Sequence, residues 1–154
     1  RIGISVRDAL GWWTVDGATF RGPVGFDGLQ FIGVGEAGKR VKLTNLEGDG
    51  ISRVGMRLLD GLGWWTLDGV DFRGTSQMAV QASGFEASAT LDLHRLHVTG
   101  ATGIGVMLDS TAATVEMTDS EINETAGHAH GGDQQAGPTL GYGLLAKDVA
   151  NGKG

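Results

Sequence analysis

The sequence predicts an all-β fold, a single-stranded parallel β-helix (β-solenoid) with a period near 25 residues, and three observations predict it. The first is an ungapped internal copy: Arg1 to Gly22 aligns with Arg53 to Gly74 with 13 identities in 22 positions, at an offset of 52. The second is a weaker copy between them. Gly28-Leu29-Gln30-Phe31, followed by Val41-Lys42-Leu43-Thr44-Asn45-Leu46, repeats the same succession of short apolar pairs, so the true period is about half the offset. The third is glycine, 28 of 154 residues. That is more than double the usual ~7%, and each glycine disfavours a helix interior by roughly 1 kcal/mol, which removes a helical bundle.

The coils run in order as 1–24, 25–51, 52–75, 76–101, 102–127 and 140–154, with an inserted loop at 125–139, all within one domain of residues 1–154. The first coil shows the pattern: Trp13 and Val15, then Ala18 and Phe20, are apolar at period two with polar residues between them, which is strand periodicity. Turn signals separate the strands at Asp16-Gly17, Arg21-Gly22, Thr44-Asn45, Asp68-Gly69 and Arg73-Gly74, where glycine or asparagine accepts positive φ. Each coil therefore has three short strands and three bends. The fourth coil carries Ala79-Val80-Gln81-Ala82 and Leu91-Asp92-Leu93, the fifth Gly105-Val106-Met107-Leu108 and Val115-Glu116-Met117, and the sixth opens at Gly143-Leu144-Leu145-Ala146.

Equivalent positions form columns. One reads Ile4, Leu29, Met56, Val80, Val106, Leu144; a second Val15, Leu43, Leu67, Leu93, Met117; a third Ala18, Leu46, Val70, Leu96, Ser120. Each stays small or apolar, as an inward column must. One coil cannot bury its apolar face alone, but stacking about six coils at ~4.8 Å encloses a continuous core roughly 29 Å long. Leucine-rich repeats lack their Leu-x-x-Leu-x-Leu run here, and propeller blades do not repeat at half this period. Neither end shows a covering helix or atypical polar unit, so the expectation is a segment of a longer solenoid, or a unit that pairs end to end with itself.

Composition excludes several classes. A hydrophobic fraction of 40% is too high for a disordered tail, and no apolar run reaches the ~18 residues of a membrane span. Arg1 leads straight into Ile2-Gly3-Ile4 with no leader pattern, so a mature or excised segment is expected. A net charge of −6 argues against a nucleic-acid partner. The absence of cysteine removes disulfides and thiolate metal sites. No cofactor is expected: neither Gly3-Ile4 nor Gly103-Ile104-Gly105 opens a helix as a phosphate loop would.

The recurring Gly-apolar-x-apolar strand, the strands Val41 to Asn45 and Val115 to Asp119, and the ~25-residue coil resemble the right-handed parallel β-helix repeat proteins of the pectate-lyase-like superfamily. The likeness covers nearly the whole chain. It implies an extracellular or cell-surface location, but the architecture serves lyases, hydrolases, esterases, tailspikes and adhesins alike, so function must come from the site.

Outward columns supply the candidates. Trp12, Arg40, Trp64, Thr90 and Thr114 place a guanidinium between two indoles two coils apart, either a structural cation–π stack or a sugar-stacking, ligand-binding platform. A one-residue register slip would exchange which indole of each Trp pair faces out. A second face carries Thr19, Glu47, Asp71, His97 and Glu121 beside Arg21, Asp49, Arg73, Thr99 and Asn123. In layout it resembles the polysaccharide-active members, with Asp49, Asp71, Arg73, His97 and Glu121 as catalytic candidates. The alternating signs of Arg21, Asp49 and Arg73 equally suit a charge ladder in which coils satisfy one another. The Asn-Thr-Asp, Asp-Asp, Gly-His-Gly and Arg-Ile-Lys signatures of polygalacturonases are absent. His128, His130 and Asp133 in the inserted loop are candidate zinc or copper ligands or plain surface residues, and His94 and His97 are expected to be solvated around a bend.

The sequence thus favours a non-catalytic structural or binding segment of a secreted or cell-surface protein, with a polysaccharide or surface ligand as candidate partner. A carbohydrate-active enzyme fragment and a self-assembling solenoid are the alternatives.

Overall fold

Alternation of apolar and polar residues places one row of each strand inside and the other outside. The computed structural model, which describes residues 2–21, 27–75, 77–123, 142–147 and 151–153, shows those rows stacked. In chain order the strands are β1 (Ile4–Arg7), β2 (Trp13–Asp16), β3 (Thr19–Arg21), β4 (Leu29–Ile32), β5 (Gly35–Asp49), β6 (Val54–Leu59) and β7 (Leu62–Arg73). They continue as β8 (Met78–Ser83), β9 (Thr90–Thr99), β10 (Ile104–Asp109), β11 (Thr114–Thr118), β12 (Glu121–Asn123), β13 (Tyr142–Lys147) and β14 (Asn151–Lys153). No helix occurs among the described residues.

The strands build two sheets, ordered β1-β4-β6-β8-β10-β13 and β14-β11-β9-β7-β5-β2, with β3 beside β5 and β12 beside β9. Each pairing between them is parallel. A coil lends one strand to the first sheet and then two segments to the second, joined at a bend. In β5, β7 and β9 the chain runs through the bend as one strand, whereas the first and fifth coils split there into β2/β3 and β11/β12.

The expected first column is the observed register: Ile4 pairs with Leu29, Leu29 with Met56, Met56 with Val80, Val80 with Val106 and Val106 with Leu144. The second is equally matched through Val15, Leu43, Leu67, Leu93 and Met117. The solenoid makes about four complete turns, from Ile4 to Val106, rather than the six coils expected. The difference arises past β12, where β13 rejoins the first sheet beyond residues outside the described set.

The core lies between the sheets. Leu29, Phe31, Leu43, Met56, Leu58, Leu67 and Leu91 are fully buried, each contributing roughly 1.5–3 kcal/mol. Trp65 is the largest of the buried side chains, meeting Phe31 and Phe85 edge to face at centroid distances of 5.7 and 5.4 Å. Its indole N–H donates to the Leu62 carbonyl at 2.9 Å, and Trp13 repeats this toward Leu10 at 3.3 Å. The polar edge of each inward indole thus fastens the chain as it turns into the second sheet.

Two corners of each coil stack in left-handed backbone. Between the two segments of the second sheet, Gly17, Asn45, Gly69, Arg95 and Asp119 stack with φ of 70°, 52°, 66°, 50° and 49°. At the corner after the first sheet, Asp8, Gly33, Asp60, Gly84 and Ser110 do the same. Glycine and asparagine mark part of these columns, as expected; Asp8, Asp60, Arg95, Ser110 and Asp119 make the bend without either.

One coil departs from the repeat. Gly35 pairs with Leu62 but Arg40 pairs with Trp64, so four residues, Glu36 to Lys39, stand opposite the single Gly63. This β-bulge projects at the entry to the second sheet.

Candidate functional site

The outward rows of the second sheet form four polar surfaces around the bend. The first comprises Arg40, Trp64, Thr90 and Thr114 in register, with Trp12 beside the Trp13–Val41 pair. The register places Trp13 and Trp65 inward and leaves Trp12 80% and Trp64 48% exposed. Arg40 lies 5.8 Å from the Trp64 ring centroid, a cation–π distance. At ~4.8 Å per rung the two outward tryptophans stand roughly 10 Å apart along the axis, and Leu10, two residues before Trp12, is exposed as well.

Next to this row lie Thr14, Lys42, Thr66, Asp92 and Glu116. Asp92 and Glu116 are like charges on neighbouring rungs, a pair that sequence reading passed over although their column was legible. Burial, and then the Glu116 charge, push the Asp92 carboxyl above its ordinary value.

A third row runs along the bend through Asp16, Thr44, Asp68, His94 and Thr118. Thr44 Oγ1 and Asn45 Nδ2 each donate to Asp16 Oδ1 at 2.8 Å, holding that carboxyl below its ordinary value. Arg95 Nε donates to Asp68 Oδ1 at 2.7 Å and lowers Asp68 in the same way. His94 is not simply solvated: its Nδ1 is 2.9 Å from Thr118 Oγ1 and 3.5 Å from Asp119 Oδ2, and its Nε2 is 4.0 Å from Asp68.

Beyond the bend is the charged face. Thr19, Glu47, Asp71, His97 and Glu121 are in register, as are Arg21, Asp49, Arg73, Thr99 and Asn123. A depression of about 180 Å³ opens among Thr19, Arg21, Glu47, Gly48, Asp49, Asp71 and Arg73. The expected cross-rung ladder of Arg21, Asp49 and Arg73 forms differently. Arg73 turns to Asp71 of its own strand, with Nε to Oδ1 at 3.1 Å and a second bond from Nη2 to Oδ2. Residues i and i+2 share a face about 7 Å apart, within reach of an arginine. His97 Nδ1 lies 3.9 Å from Glu121 Oε2.

The catalytic candidates thus share one face, but Asp71 is occupied by Arg73, whose guanidinium the bonds to Asp71 push above its ordinary value. Trp12, Arg40 and Trp64 form a separate face across the bend. His128, His130 and Asp133 lie outside the described residues, and among the described residues no group of three His, Cys, Asp or Glu is placed to hold a metal. No helix of the described residues is long and apolar enough to cross a membrane.

Fold and surface together define the class: a parallel β-solenoid with an enclosed apolar core and ordered ladders of polar and aromatic side chains on its outer faces. Comparisons with protein-family models, curated proteins and solved structures found no match for this chain, so the class rests on the strand register itself.

Proposed function

We propose that this chain is a non-catalytic binding rod of the pectate-lyase-like type, part of a secreted or cell-surface protein, and that it holds carbohydrate on the Trp12, Arg40, Trp64 platform. The observation that carries this reading is the exposure of Trp12 and Trp64 on either side of Arg40, while their neighbour Trp65 fills the interior and Trp13 packs against the core. Leaving two indoles in water forgoes the burial energy their neighbours gain. Flat aromatic faces fixed roughly 10 Å apart on a rigid sheet suit stacking against the apolar faces of sugar rings. Calorimetric titration with a panel of soluble glycans tests it. Binding to at least one glycan is expected, weakened about tenfold or more in Trp12→Ala and in Trp64→Ala; absence of binding to every glycan overturns the reading.

The depression at Glu47, Asp49, Asp71 and Arg73 favours a second reading, a carbohydrate-active enzyme working through carboxylates of successive rungs. Release of reducing or unsaturated sugar, abolished in Asp71→Ala, is its signature. The Arg73 bonds to Asp71 weigh against it, because both oxygens of that carboxylate are already engaged rather than turned to a substrate.

A further inference from the structure

The platform has a charge that the whole chain lacks. Against a net charge of −6, three of the 12 basic residues, Lys39, Arg40 and Lys42, fall within four positions, on the rung between Trp12 and Trp64. Other arginines are engaged: Arg57 with Asp27 at 3.1 Å, Arg73 with Asp71, Arg95 with Asp68. Among the described residues, no carboxylate lies within ion-pair distance of Lys39, Arg40 or Lys42, although Asp92 feels the Arg40 charge and Asp68, bonded to Arg95, feels that of Lys42.

The bulge that carries Lys39 is built into the sheet. Gly63, at φ 77°, faces it from the next rung, and a Cβ there would collide with the carbonyl oxygens of Glu36 and Lys39. Gly35, at the foot of the bulge, is packed as tightly on the Leu62 carbonyl. The four exposed residues Glu36 to Lys39 therefore make a wall along one flank of the tryptophan row, seated on backbone, while Lys42 stands on the opposite flank.

We infer that this bulge and its cations make the platform selective for a glycan bearing an anionic substituent, carboxylate or sulfate, on the sugar between the two stacked rings. The inference rests on the platform reading above. A chain spanning Trp12 and Trp64 passes over Arg40, whose planar fork of N–H donors matches two oxygens of either anion. A neutral sugar at the same place would strip water from three cations without supplying a counter-charge. Glu36 is the one opposing charge on the wall, Asp92 opposes Arg40 from farther along the sheet, and the three cations outnumber the two.

The test uses three oligosaccharides of one backbone and length, unsubstituted, carboxylated and sulfated, titrated calorimetrically at low and high salt against the wild type, Lys39→Gln, Arg40→Gln and Trp64→Ala. The wild type should bind at least one anionic form about tenfold tighter than the neutral form, with the advantage shrinking in salt. Lys39→Gln should cut that preference about threefold with neutral binding little changed, Arg40→Gln should abolish it, and the tighter anionic arm identifies the substituent. Equal affinity for all three forms, still lost in Trp64→Ala, overturns this inference and leaves the platform reading standing. Absence of binding to any form overturns both.

Discussion

Asp8, Asp60, Arg95, Ser110 and Asp119 hold φ between 47° and 53°, a region that disfavours side-chain-bearing residues by about 1–2 kcal/mol each. Their stacking under glycines and an asparagine of neighbouring coils explains why they tolerate it: the ladders on either side fix the corner, and some recover energy locally, as Arg95 does through Asp68. Gly74 isolates the backbone contribution. It sits at φ 61°, and a Cβ there would find its nearest neighbour, the Gly50 amide nitrogen, at 3.9 Å. Gly74→Ala should therefore destabilise by about 1–2 kcal/mol in urea unfolding with no steric component; an unchanged midpoint would mean that the corner relaxes freely. Gly63→Ala adds a collision with the bulge and should lose more.

At the scale of strands and rungs, stacking brings together groups that no local pattern pairs. Asp92 and Glu116 face outward side by side, and burial together with repulsion raises Asp92. A folded value above the unfolded 3.8 means this carboxyl favours the fold only while protonated, so its contribution is full below about pH 3.8 and is lost as pH rises through the folded value. Asp92→Asn should stabilise the protein at neutral pH by about 0.2–1 kcal/mol, and the gain should vanish in melts at low pH. Columns such as Val15, Leu43, Leu67 and Leu93 were legible in sequence because burial dictates residue type at period two. Partner choice was not. The signs of Arg21, Asp49 and Arg73 pointed across rungs, yet Arg73 found Asp71 along its own strand, a matter of side-chain reach rather than residue type. The bulge was equally hidden, since Glu36 to Lys39 look like any polar turn until register sets four residues against Gly63.

For the whole molecule, repeat arithmetic was enough to predict an all-β parallel solenoid, because thirteen identities at one offset leave few ways to stack a chain. It overstated the winding, counting every apolar cluster as a coil where about four turns are complete. Acid should weaken the assembly along the bend. Asp16, held low by Thr44 and Asn45, and Asp68, held low by Arg95, stabilise the fold above the unfolded value of 3.8 and cease to do so as pH falls through their folded values. The urea midpoint should therefore drop between about pH 5 and about pH 3, with a shallower slope in Asp68→Asn; a flat profile would show that these bonds add nothing. The bulge carries a last implication. Two neighbouring coils keep their pairing while the one between them accommodates extra length, and Gly38 meets no atom within 4 Å of a Cβ. That crown is a natural insertion point, where a foreign peptide graft would be displayed at a fixed height on the rod while the winding beneath continued undisturbed.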